Sequence, residues 1–245
     1  MKVYDYIKNK LKTEKLHMVL IDPAKQSTEK NFQLAEKSIF AGTDAIMIGG
    51  STGITPEGID QLILRIKKEY TIPIILFPSG IKSLSKYADA IYFMSMLNSK
   101  NLKYVIRQQV AGAQIIKDYG IEPISMGYLV IEPGMTVGRV GEADLVKRND
   151  VQTAVKYAIA AEYFGMKLFY IEAGSGASES AMPQMIKAVK ENISIPLIVG
   201  GGVRTPATAR ELCFAGADII VTGTILEETK DVEELLSKII KEIKK

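Results

Sequence analysis

Eight short apolar runs, separated by segments with helical spacing, constrain the fold of this chain more than any other feature. Each run is rich in Ile, Val, Leu or Met and is bounded by Gly, Pro or Asp. Such runs are typical of parallel strands that are covered on both faces. They occupy residues 18–21, 45–48, 74–77, 90–94, 123–127, 168–171, 196–199 and 219–221.

Eight strand–helix units in 245 residues match the α/β class known as the (β/α)8 TIM barrel, which typically has about 250 residues. An open doubly wound sheet is the alternative, but its first strand is usually followed by G-x-G-x-x-G, and here the first run ends in IDPAK. We therefore predict one TIM-barrel domain over residues 1–245. The segment between residues 77 and 90 is short, so the third helix is predicted to be reduced or missing. The long, glycine-bearing segment 130–150 is predicted to be a functional loop.

Glycines cluster after the last three predicted strands. Residues 195–204 read IPLIVGGGVR, residues 170–176 read YIEAGSG, and Gly223-Thr224 follows the eighth run. In a TIM barrel these loops lie at the catalytic face, where they commonly bind phosphate. A phosphate oxygen must approach backbone N–H groups to within about 3 Å, which glycine permits. Tight turns are the alternative, but three glycine-bearing loops on neighbouring strands favour a phosphate site.

A carboxylate follows the first predicted strand, and another ends the sixth. Asp22 either begins a turn or, with the Ser51 hydroxyl after the second strand, binds Mg²⁺, which takes few protein ligands and keeps several waters. Glu172 is flanked by small residues, so it is either a general base or a residue that orients a ligand hydroxyl. His17 is predicted to precede the first strand and to have a structural role.

Composition excludes several classes of protein. One histidine and one cysteine are too few for a Cys/His zinc site, and one cysteine cannot form an internal disulfide. A net charge of +3 is too small to indicate a nucleic-acid partner. The N-terminus lacks the apolar core of a signal peptide, and no apolar stretch could span a bilayer. We predict a cytoplasmic protein.

Five motifs, in this order and spacing, resemble the geranylgeranylglyceryl phosphate synthase family: IDPAK, GGST, YIEAGSGA, GGGVR and VTGTILEE. The resemblance covers nearly the whole chain. It implies a modified TIM barrel that joins geranylgeranyl diphosphate to sn-glycerol 1-phosphate with Mg²⁺, forming the first ether bond of archaeal membrane lipids. It also implies a homo-oligomer with no more than peripheral membrane contact.

The resemblance also assigns residues. It implies that Asp22 and Ser51 bind the metal, and that glycerol phosphate is bound by Tyr170, Ile171, Glu172, Ala173, Gly174, Ser175, Gly176, Gly201, Gly202, Gly223 and Thr224. Members of the family often have a second acidic residue where this chain has Ala24, so metal binding here would depend more heavily on Asp22.

Three alternatives remain open on sequence grounds. The bacterial relatives use heptaprenyl diphosphate, and the sequence alone does not fix the length of an apolar groove. An unrelated phosphate-binding barrel enzyme would need further acid and base groups, of which only Asp22 and Glu172 are evident. A barrel that binds a phosphate ligand without turnover would not need Asp22, Ser51 and Glu172 together.

Overall fold

Eight parallel strands close into a barrel in the computed structural model, which describes residues 1–50, 55–224 and 231–245. The strands follow chain order around the barrel, and β1 pairs with β8 to close it. The predicted (β/α)8 barrel is confirmed. The strands are β1 (Leu16–Ile21), β2 (Ala45–Ile48), β3 (Ile74–Leu76), β4 (Ala90–Met96), β5 (Glu122–Val130), β6 (Leu168–Glu172), β7 (Leu197–Gly200) and β8 (Ile219–Thr222).

Most of the helices cover the outside of the barrel. Several begin where the sequence places a capping hydroxyl, because the side chains of Ser27, Thr55 and Thr205 each accept a hydrogen bond from an amide of the first turn. The described α-helices are α1 (Val3–Lys10), α2 (Thr28–Phe40), α3 (Pro56–Glu69), α4 (Gln108–Tyr119), α5 (Met135–Val140), α6 (Val151–Tyr163), α7 (Pro183–Lys190), α8 (Pro206–Ala215) and α9 (Val232–Ile243). Within the described ranges, none of the helices is long and apolar enough to cross a bilayer.

The connection between β3 and β4 differs from the others. In place of an α-helix it contains a single 3-10 turn, Ile81–Ser83. The third helix of the barrel, meaning the one that follows β3, is therefore reduced as predicted, whereas α3 is the full-length helix that follows β2. Before α4, residues Lys103–Arg107 form a π-helical turn, a widened turn that is often found at functional sites. The segment 130–150 contains the short helix α5, and residues of α5 line a cavity at the carboxyl ends of the strands.

The alternation of side chains along the strands produces two apolar layers. One layer fills the barrel interior and includes Met18, Tyr128 and Tyr170. The other lies between the strands and the helices and includes Val19 and Ile171. This alternation decides which strand residues can reach a ligand at the barrel mouth.

At the amino end of the barrel, three aspartates directly precede β2, β4 and β8. The carboxylate of each accepts a hydrogen bond from a backbone amide of an adjacent strand, which links neighbouring strands at this end. The pairs are His17 N with Asp44, Ile74 N with Asp89 and Leu197 N with Asp218, at 2.9, 2.8 and 2.8 Å.

We expect the substitution Asp44→Ala to destabilise the fold strongly. The Asp44 side chain is 1% exposed and accepts hydrogen bonds from the His17 amide and from the ammonium groups of Lys10 and Lys244. Its removal leaves the buried His17 amide without this acceptor and takes a shared partner from two partly exposed ammonium groups, so the free energy of unfolding measured with urea should fall by about 2–4 kcal/mol. Asp89→Ala is the control, because Asp89 is 34% exposed, and a loss of only about 1 kcal/mol is expected. Equal losses for the two variants would contradict this account.

Candidate active site

The carboxyl ends of the strands surround a cavity of about 470 Å³. Its polar side includes Asp22 after β1, Glu172 at the end of β6, Ser175 in the following loop, and Gly223 and Thr224 after β8. The structure thus brings together, in one cavity, the residue predicted for metal binding and residues predicted for phosphate binding. Ser51 lies outside the described residues.

A smaller cavity of about 40 Å³ adjoins the first at the ends of β6, β7 and β8. The two cavities share Leu20, Glu172, Ser175, Gly223 and Thr224. The smaller one has room for a compact group only. Its other lining residues are Tyr170, Gly176, Ala177, Gly201, Gly202, Val203, Arg204, Val221 and Thr222.

The three consecutive glycines after β7 each leave out a side chain for a packing reason. A Cβ atom at Gly200 would overlap the Tyr170 hydroxyl, and one at Gly202 would overlap the backbone at Glu179. A Cβ atom at Gly201 would lie 2.5 Å from Oε1 of Glu172. In addition, Gly201 and Gly202 have φ values of 78° and 72°, in the left-handed region that favours glycine.

The same glycines leave backbone donors at the small cavity. Among the described backbone hydrogen bonds outside the helices and strands, neither the Gly201 amide nor the Gly202 amide donates to a carbonyl. Successive amides in such turns form a concave anion site. A hydrogen bond of 2.7 Å between the Ser175 and Thr224 hydroxyls connects the loops after β6 and β8. The arrangement suits a phosphate group.

Glu172 is the last residue of β6 and is 5% exposed. Its Oε1 accepts a hydrogen bond of 2.6 Å from the Gly174 amide, and it also accepts hydrogen bonds from the Tyr128 and Tyr170 hydroxyls. Burial raises the pKa of this carboxyl above its usual range, although the three hydrogen bonds lower it in part. A carboxylate with a raised pKa that borders both cavities is suited to accept a proton from a ligand hydroxyl.

Four aromatic rings form the floor beneath Glu172, which closes the barrel interior below the site: Phe77, Tyr92, Tyr128 and Tyr170. The Tyr128 and Tyr170 rings meet edge to face, with centroids 5.2 Å apart. Burial, reinforced by the charge of Glu172, raises the pKa of both tyrosines well above the usual value. Both phenols therefore stay protonated and act as hydrogen-bond donors to the carboxylate.

Asp22 follows β1 and lines the large cavity. Its Oδ1 accepts a hydrogen bond of 3.0 Å from the Ala24 amide. A Cβ atom at Gly50 would overlap the Asp22 carboxylate, so the glycine leaves room for this group. No group of three or more His, Cys, Asp or Glu side chains that could hold a metal occurs in the described parts of the chain. One carboxylate together with phosphate oxygens of a substrate fits the way in which Mg²⁺ is usually bound.

The other side of the large cavity is apolar and extends along the outside of β4, next to the connection that has no third helix. Ile91 and Phe93 of β4 and Gly112 and Ile116 of α4 line it, together with Leu84. A full-length third helix would cover this side of the barrel. The reduced helix therefore leaves a groove whose chemistry suits a long hydrocarbon chain.

Three residues predicted to bind glycerol phosphate line neither cavity: Ile171, Ala173 and Gly174. Ile171 and Ala173 pack in the apolar layer between strands and helices, and the Ala173 amide is bonded to Gly200 O. Gly174 contributes by donating its amide to Glu172. Gln108, at the start of α4, also lines the large cavity, although no motif of the sequence pointed to it.

This chain is similar to known proteins in both sequence and fold. The sequence profile of the PcrB family matches residues 8–244. A geranylgeranylglyceryl phosphate synthase from Picrophilus torridus is 51% identical over 243 residues, which are 99% of this chain and 100% of that protein.

Two solved structures extend the comparison to the fold. The (S)-3-O-geranylgeranylglyceryl phosphate synthase from Thermoplasma acidophilum, in complex with sn-glycerol-1-phosphate, is 47% identical, with a TM-score of 0.97 over 100% of this chain and 99% of that one. Wild-type GGGPS from Thermoplasma volcanium is also 47% identical, with a TM-score of 0.96 over 100% and 98% of the two chains.

Proposed function

Because this chain belongs to the PcrB family, we propose that it transfers the geranylgeranyl group of geranylgeranyl diphosphate to the terminal hydroxyl of sn-glycerol 1-phosphate. The reaction forms an ether bond and releases diphosphate. The observation that carries the proposal is the position of Glu172, which borders both the small polar cavity and the larger cavity with the apolar groove. One partner needs a phosphate site and the other needs an apolar channel, and Glu172 lies where the two meet.

The small cavity binds the phosphate of sn-glycerol 1-phosphate. The amides of Gly201 and Gly202 and the hydroxyls of Ser175 and Thr224 supply the hydrogen bonds, as the two hydroxyls already lie 2.7 Å apart. Binding by the phosphate end directs the other end of the glycerol towards Glu172, which adjoins the same cavity. Fixing both reactants in this way can lower the barrier by several kcal/mol, up to about 7–11 kcal/mol.

Glu172 accepts the proton of the terminal hydroxyl as the hydroxyl oxygen bonds to the allylic carbon. The bond between that carbon and the diphosphate oxygen breaks, and the diphosphate leaves with the electron pair. Tyr128 and Tyr170 hold the carboxylate in position, because both phenols donate hydrogen bonds to it. The aromatic floor below keeps water away from the developing allylic charge, as burial of Tyr92, Tyr128 and Tyr170 indicates.

The groove along β4 holds the prenyl chain, and its length decides between a geranylgeranyl and a heptaprenyl donor. The named relatives favour geranylgeranyl diphosphate. The experiment is incubation of the chain with sn-glycerol 1-phosphate, Mg²⁺ and an equimolar mixture of prenyl diphosphates, with the products identified by mass. A geranylgeranyl ether is expected. A heptaprenyl ether would favour the bacterial type of activity, and binding without any product would favour a barrel that does not catalyse turnover.

We also propose that Asp22 holds Mg²⁺, which neutralises the charge of the diphosphate leaving group when it is bound. The space that Gly50 leaves beside the Asp22 carboxylate supports this proposal. Ala24 offers no second carboxylate at this position, so Asp22 is the acidic ligand within the IDPAK motif.

The substitution Asp22→Asn tests the metal proposal. It keeps the shape and the acceptor for the Ala24 amide but removes the charge, so the Mg²⁺ concentration at half-maximal rate should rise about 10- to 100-fold. Mn²⁺ binding measured by electron paramagnetic resonance with diphosphate present gives a readout that does not depend on activity. Unchanged metal dependence in both measurements would remove Asp22 from the metal site.

Four expectations about partners and location stay predictions. These are the absence of a nucleic-acid partner, an assembly of identical subunits, contact with a membrane surface that is at most peripheral, and a cytoplasmic location.

A further inference from the structure

His17 is fully buried, yet it takes no part in the proposed reaction. It is the second residue of β1, which corrects the prediction that it precedes the first strand. Its side chain lies on the outer face of the barrel wall, as Val19 and Ile21 of the same strand do. The sequence predicted only that His17 has a structural role, and did not say which groups its imidazole contacts.

The imidazole bridges two hydroxyls that come from the segments on either side of β1. Its Nδ1 lies 3.0 Å from Oγ1 of Thr43, just before β2, and its Nε2 lies 2.9 Å from Oγ1 of Thr222, the last residue of β8. Both threonines are buried, so each contact is shielded from water.

The surroundings of Thr43 decide which ring nitrogen carries the proton. The Thr43 hydroxyl lies 3.1 Å from His17 O and 3.3 Å from Ala45 O, and both of these carbonyls can only accept. The Thr43 hydroxyl donates its single proton to one of these carbonyls. Its oxygen therefore accepts a hydrogen bond from an Nδ1–H group of His17. Nε2 is then without a proton and accepts from the Thr222 hydroxyl. Burial lowers the pKa of His17 to about 4, which agrees with a neutral ring.

His17 is itself held firmly at the amino end of the barrel. Its backbone amide donates to Asp44 Oδ2 at 2.9 Å, and its carbonyl accepts from the Asp44 amide at 2.8 Å. The ring therefore holds the Thr222 hydroxyl at a fixed position relative to β1. Thr222 lines the small polar cavity, and it directly precedes Gly223 and Thr224, which line it too.

We propose that His17 is a positioning residue for the phosphate-binding loop after β8, acting through its hydrogen bond to the Thr222 hydroxyl. The bond fixes the rotamer of Thr222 and so the direction in which the chain leaves β8. Gly223 and Thr224 then present their donors to the anion. The proposal rests on the proposed function for the identity of the ligand, but its test also uses inorganic phosphate.

Two substitutions at residue 17 test the contacts of the two ring nitrogens separately. The amide of Asn can replace Nδ1 and keep the contact with Thr43, but it cannot reach Thr222. The amide of Gln can reach Thr222. We expect His17→Asn to weaken binding of sn-glycerol 1-phosphate and of inorganic phosphate about three- to tenfold by calorimetry, whereas His17→Gln stays within about twofold of the wild type.

Thr222→Val removes the same hydrogen bond from the other side and should weaken binding to the same degree as His17→Asn. The double variant should be no weaker than either single variant, because only one bond is lost. In turnover assays, His17→Asn should raise the KM for sn-glycerol 1-phosphate, with the KM for geranylgeranyl diphosphate and kcat unchanged. This split distinguishes positioning from a general loss of structure.

Ser38→Ala is the matched control, because it also removes one buried hydrogen bond, from the Ser38 hydroxyl to Leu34 O in α2, away from the site. It should lower the unfolding temperature and leave phosphate binding unchanged. Additive losses in the double variant, equal effects on the KM values of both substrates, or an equal loss of binding in Ser38→Ala would overturn the proposal. Absence of wild-type turnover, with phosphate binding still dependent on His17, would instead overturn the proposed function alone.

Discussion

The substitution Glu172→Gln should lower kcat about 10²- to 10⁴-fold, because it removes the only group at the junction of the two cavities that we assign as proton acceptor. The amide keeps the shape of the side chain and an acceptor oxygen for the Gly174 amide. We therefore expect binding of sn-glycerol 1-phosphate to change little. Kinetics with both substrates at saturation, together with calorimetry, measure the two effects. Glu191→Gln, an exposed carboxylate at the end of α7, is the control and should be fully active.

The pH dependence of the same variant gives a second test. Burial raises the pKa of Glu172, and the carboxyl must be deprotonated to act as a base, so the wild-type rate should begin to fall with acidification at a higher pH than for an ordinary glutamate. A raised pKa in the folded state also means that the favourable contribution of Glu172 to stability is fully present below its unfolded pKa. That contribution is lost as pH rises through the folded pKa.

Glu172→Gln should accordingly remove this pH dependence and should not lower the unfolding temperature at pH 8. Full turnover in the variant would exclude Glu172 as the base. A loss of activity that merely follows a loss of folded protein would equally contradict the assignment.

The substitution Gly201→Ala should destabilise the fold by about 2–4 kcal/mol and lower kcat/KM by about 100-fold or more. Gly201 has a φ of 78°, and an added Cβ atom would lie 2.5 Å from Glu172 Oε1 and 2.6 Å from Gly174 O. The new methyl group must displace either the carboxylate or the loop after β6. Urea unfolding and steady-state kinetics measure the two losses.

Gly165→Ala is the control for the cost of placing alanine at a positive φ, because Gly165 has a φ of 73° and nothing lies within 4 Å of an added Cβ atom. It should lower stability by about 1 kcal/mol and leave activity unchanged. An equal loss of activity in the two variants would mean that the close approach of Gly201 to Glu172 does not affect activity.

Strand periodicity sorts the residues of β6 that the sequence analysis grouped as one binding motif. The motif YIEAGSG indicated the correct strand end, and Glu172 and Tyr170 face the cavities. Ile171 and Ala173 point the other way and pack between strands and helices, as alternation along a strand requires. The two-residue period of a strand, applied to the motif, separates these two residues from those that line the cavities.

Other features depend on contacts that no local pattern reports. From the sequence, the glycines 200–202 were interpreted as phosphate donors, with tight turns as the alternative, but the structure shows that each also makes room for a neighbour, among them the Tyr170 hydroxyl and the Glu172 carboxylate. The bond between His17 and Thr222 depends on the closure of β1 onto β8, which joins residues 205 positions apart. The reduced third helix was predictable from the length of its segment, but the groove that it leaves also needs the position of α4.

The most direct test of the account is a crystal structure of this chain with sn-glycerol 1-phosphate. The account predicts the phosphate in the small cavity, within hydrogen-bond distance of the Gly201 and Gly202 amides and the Thr224 hydroxyl, and the terminal hydroxyl within about 3 Å of the Glu172 carboxylate. A phosphate bound elsewhere in the barrel mouth, or a terminal hydroxyl directed away from Glu172, would contradict it.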